Sequence, residues 1–109
     1  MKVLFLPEVR QYMKEIMQAL YDKEYFGQRE SAERYVEELL YDITTTLHLR
    51  VKKPAPAYFE RYGQKMLYAV FRKNRSTQWY VFFNVYRDGG ETVYLVRYIA
   101  NNHVIAHRL

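Results

Sequence analysis

Two prolines, Pro54 and Pro56, stand in a basic segment, residues 50–56, that separates two different hydrophobic patterns. Before this segment, apolar residues recur every three or four positions, which is the spacing of an amphipathic helix. After it, Tyr, Phe, Val and Trp are crowded into runs typical of β-strands. Because the residue before a proline is driven away from helical geometry, we expect the segment itself to be a loop. The pattern predicts helices in the first part of the chain and strands in the second.

The first part opens with a short apolar run, residues 3–6, which predicts one strand ending before Pro7. Proline suits the first turn of the helix that follows, because its missing N–H would have no partner there. Two amphipathic helices are predicted, with a break at Gly27, since glycine tolerates the left-handed conformation that ends many helices. Their apolar positions are Val9, Met13, Ile16, Met17, Leu20 and Tyr21, then Ala32, Tyr35, Val36, Leu39, Leu40, Ile43 and Leu47. The two helices should form an antiparallel hairpin with both apolar stripes facing one core.

Three β-like runs follow the prolines, over residues 65–73, 78–87 and 91–100. The turn Asp88-Gly89-Gly90 joins the last two runs, and glycine allows the positive φ that tight hairpins need. We therefore predict an α+β fold of two layers, in which the N-terminal strand and the helical hairpin pack on an antiparallel β-meander. A single domain over residues 1–109 suits this length. Because apolar residues occupy both faces of the strands, one face is expected to stay partly open for a partner.

Several classes of protein are disfavoured by what the chain lacks. It has no cysteine, so disulfides, thiolate metal sites and a cysteine nucleophile are excluded. The N-terminal apolar run is too short for a signal peptide, and no run approaches the roughly 18 apolar residues of a membrane span. Neither a glycine-rich phosphate loop nor a metal-type His/Glu spacing occurs, so we expect no metal and no cofactor. A soluble cytoplasmic protein is the resulting expectation.

Charge is divided between the same two parts of the chain. Residues 1–49 carry six Lys/Arg and nine Asp/Glu, a net charge of −3, whereas residues 50–109 carry eleven and three, a net charge of +8. Basic side chains interleaved with aromatic rings suit a surface that binds a polyanion with stackable bases. The candidate RNA-binding residues, cations for phosphates and tyrosines for stacking, are Lys52, Lys53, Arg61, Tyr80 and Tyr98.

Cleavage of RNA next to a 2′-hydroxyl needs a base, cations at the phosphate and an acid for the leaving oxygen, but no metal ion. Arg72 and Arg97 are candidate catalytic cations in the basic part. His103 and His107 are candidates for proton transfer, because imidazole titrates near neutral pH. Simpler roles remain open for these residues: exposed arginines discourage pairing at sheet edges, and residues near a terminus are often frayed.

Four segments carry a resemblance to a known family: Pro56-Ala57-Tyr58-Phe59-Glu60, Met66-Leu67-Tyr68-Ala69-Val70-Phe71-Arg72, Trp79-Tyr80-Val81-Phe82-Phe83, and Val93-Tyr94-Leu95-Val96-Arg97-Tyr98-Ile99 with its polar, His-containing end. Together with the order of elements they resemble the RelE/ParE superfamily, the toxins of type II toxin–antitoxin pairs. The resemblance implies that Arg72 contacts the phosphate at the cut, that Arg97 is a second basic residue, and that His103 or His107 assists proton transfer. It also implies a cognate antitoxin as a partner.

The superfamily offers two activities. RelE-like members cleave mRNA in the ribosomal A site, whereas ParE-like members inhibit DNA gyrase and have no nuclease activity. The arginine usual in the middle strand is replaced here by Trp79-Tyr80, which favours the gyrase inhibitor. The histidines of the tail and the lysines at 52 and 53 favour the nuclease, which is our first hypothesis. The third is an RNA- or protein-binding domain that lacks toxicity.

Overall fold

The computed structural model describes residues 1–22 and 29–102. In chain order its elements are β1 (Lys2–Phe5), α1 (Pro7–Asp22), α2 (Arg29–Thr46), a 3-10 helix (Leu47–Leu49), β2 (Lys53–Pro54), a second 3-10 helix (Ala57–Arg61), β3 (Leu67–Arg72), β4 (Gln78–Asp88) and β5 (Glu91–Asn101). Two helices packed on a sheet confirm the predicted two-layer α+β class. The predicted break at Gly27 lies outside the described residues.

All the strands belong to one five-stranded sheet with the order β1-β5-β4-β3-β2. Strands β3, β4 and β5 form the predicted antiparallel meander, and β1 lies parallel to β5 at the edge. Parallel neighbours need a long connection between them. Here the connection from β1 to β5 begins with the two α-helices and continues through β2, β3 and β4. The turn between β4 and β5 has positive φ at Gly89 (57°) and Gly90 (87°), as the sequence predicts.

The segment that contains the prolines differs from its prediction. The sequence predicts a loop over residues 50–56, but Lys53–Pro54 forms a two-residue strand at the edge of the sheet. Lys53 lies opposite Tyr68, and Pro54 lies opposite Leu67. Proline is tolerated in an edge strand where its nitrogen, which carries no hydrogen, faces away from the neighbouring strand.

The helices cover one face of the sheet and bury the main core. Its buried residues are Val9, Met13, Val36, Leu39, Ile43, Leu47, Ala69, Phe71, Trp79, Val81, Phe83, Val96 and Ile99. Trp79 is 2% exposed, and its Nε1–H donates to the hydroxyl of Tyr35 at 3.0 Å. This bond satisfies the only polar atom of a buried indole. In the described part of the chain, neither helix is long and apolar enough to cross a membrane.

Candidate nucleic-acid interface on the tyrosine face

The face of the sheet opposite the helices is rich in tyrosine, and we call it the tyrosine face. Successive side chains of a strand point to opposite faces, so the residues of β4 that share this face are Gln78, Tyr80, Phe82, Asn84 and Tyr86. Neighbouring strands and the segment before β3 contribute the remaining aromatic residues, which are Tyr58, Phe59, Tyr62, Tyr68 and Tyr98. The result is an aromatic surface that belongs to a second, smaller core.

Part of the tyrosine face is covered by residues 57–63, which we call the cover segment. Phe59 in its 3-10 helix is fully buried, and its ring stacks on Phe82 with centroids 4.3 Å apart. The ring of Tyr62 stacks on Tyr98 with centroids 3.9 Å apart and planes at 4°. The sequence predicts a partly open face, and the structure shows that the cover segment closes its centre.

Basic side chains surround this aromatic surface. Lys53 shares the face with Tyr68, because directly opposite residues of an antiparallel pair point to the same side. The guanidinium of Arg61 lies 4.0 Å from the ring centroid of Tyr58, a cation–π geometry. Arg72 lies on β3 four residues after Tyr68, so alternation places it on the same face, where it is exposed.

Few carboxylates oppose these cations. Glu60 is the one acidic residue of the cover segment. The other two acidic residues after position 50, Asp88 and Glu91, lie at the hairpin end of the sheet. Glu91 is there 3.5 Å from the N-terminal ammonium of Met1. The exposed glutamates of the helices, such as Glu37, belong to the opposite layer and therefore lie away from the tyrosine face.

Arg97 reaches the tyrosine face through a β-bulge. Phe82 lies opposite Tyr98, but Phe83 lies opposite Val96, so Arg97 is the extra residue. Its Nε–H donates to Oδ1 of Asn84 at 2.6 Å, and its Nη2 donates to the hydroxyl of Tyr86 at 2.9 Å.

The bonds of Asn84 extend this network to the chain beyond the cover segment. Its Nδ2 donates to the backbone oxygen of Gln64 at 3.0 Å. The aliphatic part of the Arg97 side chain also lies against Gly63. Arg97 therefore fastens the end of the cover segment to the sheet.

The two candidate catalytic arginines are not brought together. Arg72 lies opposite Gln78, whereas Arg97 is bonded to Asn84, six residues further along β4. At about 3.4 Å per residue, Gln78 and Asn84 are roughly 20 Å apart along β4. Two side chains at that separation do not hold the same phosphate.

The described chain ends at the Arg72 end of the tyrosine face. The backbone N–H of Gln78 donates to Oδ1 of Asn102 at 2.9 Å, and Nδ2 of Asn102 donates to the backbone oxygen of Ser76 at 3.1 Å. His103 and His107 lie outside the described residues. His48, the one histidine within them, is exposed on the first 3-10 helix.

Lys52 and Lys53 face different surroundings. The ammonium of Lys52 donates to the backbone oxygens of His48 at 3.1 Å and Arg50 at 2.9 Å. It also lies 5.9 Å from the ring centroid of Tyr94, which packs against the main core. Lys52 therefore stabilises the chain after α2 on the helix side, and Lys53 alone of the two belongs to the tyrosine face.

Two tyrosine hydroxyls have a raised pKa in the folded protein, one on this surface and one on α1. Burial raises the pKa of Tyr98 above its ordinary value, and a hydrogen bond with Tyr62 raises it further by a smaller amount. Burial also raises the pKa of Tyr12 on α1, with smaller effects from Glu15 and Tyr62. At neutral pH Tyr98 is therefore a phenol that can donate a hydrogen bond and stack, and it is not a base.

This pKa shift makes a prediction about stability in alkali. Because folding raises the pKa of Tyr98, its contribution to stability is fully present below the unfolded pKa of about 10 and is lost as the pH rises towards the folded value. We expect the free energy of unfolding to fall above about pH 10, and to fall less steeply in Tyr98→Phe. Urea denaturation between about pH 8 and 11 measures both slopes. Equal slopes in the wild type and in Tyr98→Phe would contradict the assignment.

Comparisons of the chain with protein-family models, with curated proteins and with solved structures found no match. Within residues 1–22 and 29–102, no group of three or more His, Asp or Glu is arranged to hold a metal ion. What the site can do therefore follows from the residues of the tyrosine face themselves.

Proposed function

We propose that this protein is the toxin of a toxin–antitoxin pair of the RelE/ParE type, and that its tyrosine face binds RNA. The observation that carries the proposal is the composition of that face. Lys53, Arg61, Arg72 and Arg97 accompany an aromatic surface whose cover segment holds one acidic residue. Cations along a nucleic-acid backbone combined with rings for base stacking are how single-stranded RNA is held. The order of elements along the chain, a strand, two helices and an antiparallel meander, also supports the family proposal.

The activity that we propose is cleavage of mRNA on the ribosome, without a metal ion. The 2′-oxygen of the substrate attacks the adjacent phosphorus, a bond from phosphorus to the 5′-oxygen breaks, and a 2′,3′-cyclic phosphate remains. Arg72 is exposed at the last position of β3 on the tyrosine face, where its charge would stabilise the phosphorane. We assign the transfer of a proton from the 2′-hydroxyl and to the 5′-oxygen to His103 or His107. Arg97 is then a binding and structural residue, because it lies too far from Arg72 to share its phosphate.

Inhibition of DNA gyrase without catalysis is the second candidate function. One observation favours it, which is the separation of Arg72 and Arg97 on the sheet. In that case the basic and aromatic surface would bind a protein or DNA instead of mRNA.

A cognate antitoxin would neutralise the protein by covering the tyrosine face. A partner that lays an apolar, acidic segment over this face would bury exposed rings and screen the cations at the same time. A cytoplasmic location follows from a target on the ribosome or on gyrase.

Induced expression without the antitoxin separates these functions. Translation, mRNA integrity and plasmid supercoiling are followed in one culture. A rapid stop of translation with cut mRNA supports the nuclease. Growth arrest with intact mRNA and altered supercoiling supports the gyrase inhibitor, and normal growth with intact mRNA refutes both.

Binding of RNA by the tyrosine face is tested with Arg72→Ala. Because Arg72 is exposed and has a phosphate contact in the proposed complex, its loss should weaken binding of single-stranded RNA regardless of sequence. The slope of log K against log salt should become less steep by about 0.7, the value of one contact to a single strand. Fluorescence anisotropy with a labelled oligonucleotide at several salt concentrations measures both.

A matched control for this experiment is Arg87→Ala. Arg87 lies near the hairpin end of β4, and its Nη1 donates to Oγ1 of Thr92 at 2.8 Å. The alternation of β4 turns its side chain away from the tyrosine face. Arg87→Ala should therefore keep the wild-type slope, and equal losses in the two variants would contradict a binding site centred on the tyrosine face.

A further inference from the structure

An apolar groove lies beside the edge of the sheet at β1. Strand β1 is the outermost strand, and no described residues pair with its outer edge. The groove has a volume of about 500 Å³ and lies between β1, α1 and α2. Its apolar lining consists of Val3, Phe5, Met13, Met17, Val36 and Leu40. This volume falls within the range of roughly 300–1,000 Å³ that is typical of ligand-binding clefts.

The backbone of β1 is oriented so that it can pair with another strand. The N–H of Leu6 donates to the backbone oxygen of Val96 on β5 at 3.1 Å. In a parallel pair, alternate residues turn both N–H and C=O to the neighbour, so Leu4 also faces β5. The N–H and C=O of Val3 and Phe5 therefore point away from β5, towards the open edge of the sheet. The two residues whose side chains line the groove are also those whose backbone is directed to an added strand.

The charge around the groove indicates what kind of segment fits it. Among the described residues, its charged lining consists of Arg10 and Lys14, one turn apart on α1, with no carboxylate. The guanidinium of Arg10 lies 5.7 Å from the ring centroid of Phe5, at the side of the groove formed by β1. Lys2 adds a further cation at this edge, on the face of β1 opposite the groove. A second copy paired through this edge would bring the same cations together, so the charge disfavours self-association and favours an acidic partner.

We propose that the β1 edge is a docking site for an extended segment of another protein, which adds a strand beside β1. Its backbone pairs with Val3 and Phe5, its apolar side chains enter the groove, and its Asp or Glu residues pair with Arg10 and Lys14. The inference is independent of RNA binding, because the groove lies on the helix side of the sheet and the tyrosine face on the other. Failure of either proposal therefore leaves the other intact.

Two synthetic peptides test this inference with the full-length protein. Both have the same central run of alternating Val and Thr, and their ends carry glutamates in one peptide and lysines in the other. The glutamate peptide is expected to bind about tenfold more tightly or better, which corresponds to about 1.4 kcal/mol. Its binding should slow hydrogen exchange at the amides of Val3 and Phe5 and leave that of Leu4 unchanged, because the Leu4 amide already faces β5.

A charge-reversed variant provides the matched comparison. In the double variant Arg10→Glu with Lys14→Glu, the preference should invert, so that the lysine peptide binds more tightly. Both side chains are exposed, so the fold should persist, and circular dichroism checks this. Arg34→Glu, a reversal at an exposed position of α2 that does not line the groove, should keep the wild-type preference.

Four outcomes would overturn the proposal. One is equal affinity for the two peptides, and another is binding of neither at millimolar concentration. A third is a change at the methyl groups of Met13 and Met17 without protection of Val3 and Phe5, which would mean an occupant that does not pair as a strand. The fourth is protection of those two amides in the free protein that rises with its concentration, which would mean a second copy.

Discussion

Replacing Phe59 with alanine is expected to lower the free energy of unfolding by about 3–5 kcal/mol, the range for truncating a buried phenylalanine. Phe59 is fully buried and stacks on Phe82 at 4.3 Å between centroids. It is also the largest buried side chain that the cover segment contributes to the second core. Its truncation therefore leaves a cavity under the cover segment and removes the main apolar attachment of that segment to the sheet.

The loss should appear first in the cover segment itself. The N–H of Tyr62 donates to the backbone oxygen of Phe59 at 2.9 Å, and that of Gly63 to the oxygen of Glu60 at 3.1 Å. In Phe59→Ala these amides should exchange faster than those of the main core, because the segment opens locally. Chemical denaturation followed by the fluorescence of Trp79, the single tryptophan of the chain, gives the global value.

Tyr41→Ala is the control for this truncation, because Tyr41 is an aromatic residue that is 71% exposed. An exposed substitution of this kind should change stability by no more than about 0.5 kcal/mol. If Phe59→Ala cost less than about 1 kcal/mol, and its cover-segment amides kept their protection, Phe59 would not hold the cover segment to the sheet.

The layers of the fold follow from periodicity in the sequence. Val36, Leu39 and Ile43 recur at helical spacing, and all are buried against the sheet. Gly89 and Gly90 mark the hairpin because both have positive φ there. These features are local, since each is decided by a few neighbouring residues. The two-residue strand at Lys53–Pro54 depends on its pairing with β3, and the local proline signal therefore predicts a loop.

The bulge at Arg97 decides which residues share the tyrosine face, and a regular strand would place Arg97 and Tyr98 on opposite faces. A signal for it exists in the sequence. Val96 and Ile99 are both fully buried on the helix side, although residues three apart do not share a face of a regular strand. The signal is obscured because Leu95, next to Val96, is also apolar. The sequence therefore predicts a basic and aromatic surface, but not which of its side chains are neighbours.

The cover segment could not be predicted from its own pattern. Residues 57–61 show neither helical nor strand periodicity, and Phe59 is buried because Phe82 lies beneath it. The same holds for the hydrogen bond of Asn84 to Gln64, which connects residues 20 positions apart in the chain. Contacts at this separation depend on the register of the whole sheet, which local propensity does not contain.

Substituting alanine for Gly63 is expected to lower the free energy of unfolding by about 2 kcal/mol. The loss comes from displacement of the Arg97 side chain and not from strain in the backbone of Gly63. A Cβ at position 63 would lie 2.5 Å from Cδ and 3.2 Å from Nε of Arg97. The first distance is too short, so the arginine would have to move away from Asn84 and Tyr86, to which it is bonded at 2.6 Å and 2.9 Å. Hydrogen bonds to a charged group contribute about 1.5–3 kcal/mol, which sets the expected cost.

The double variant with Arg97→Ala decides whether this explanation is correct. When the arginine side chain is absent, the shortest remaining contact of this Cβ is to Sδ of Met66 at 3.1 Å, near the end of a flexible side chain. Gly63→Ala should then be nearly neutral, or stabilising by about 0.4–1 kcal/mol because alanine restricts the unfolded chain. The coupling energy in a double-mutant cycle should therefore be about 2 kcal/mol. Gly90→Ala, strained by its φ of 87° and distant from Arg97, should be additive with Arg97→Ala. Additive effects for Gly63 as well would mean that Arg97 does not fasten the cover segment.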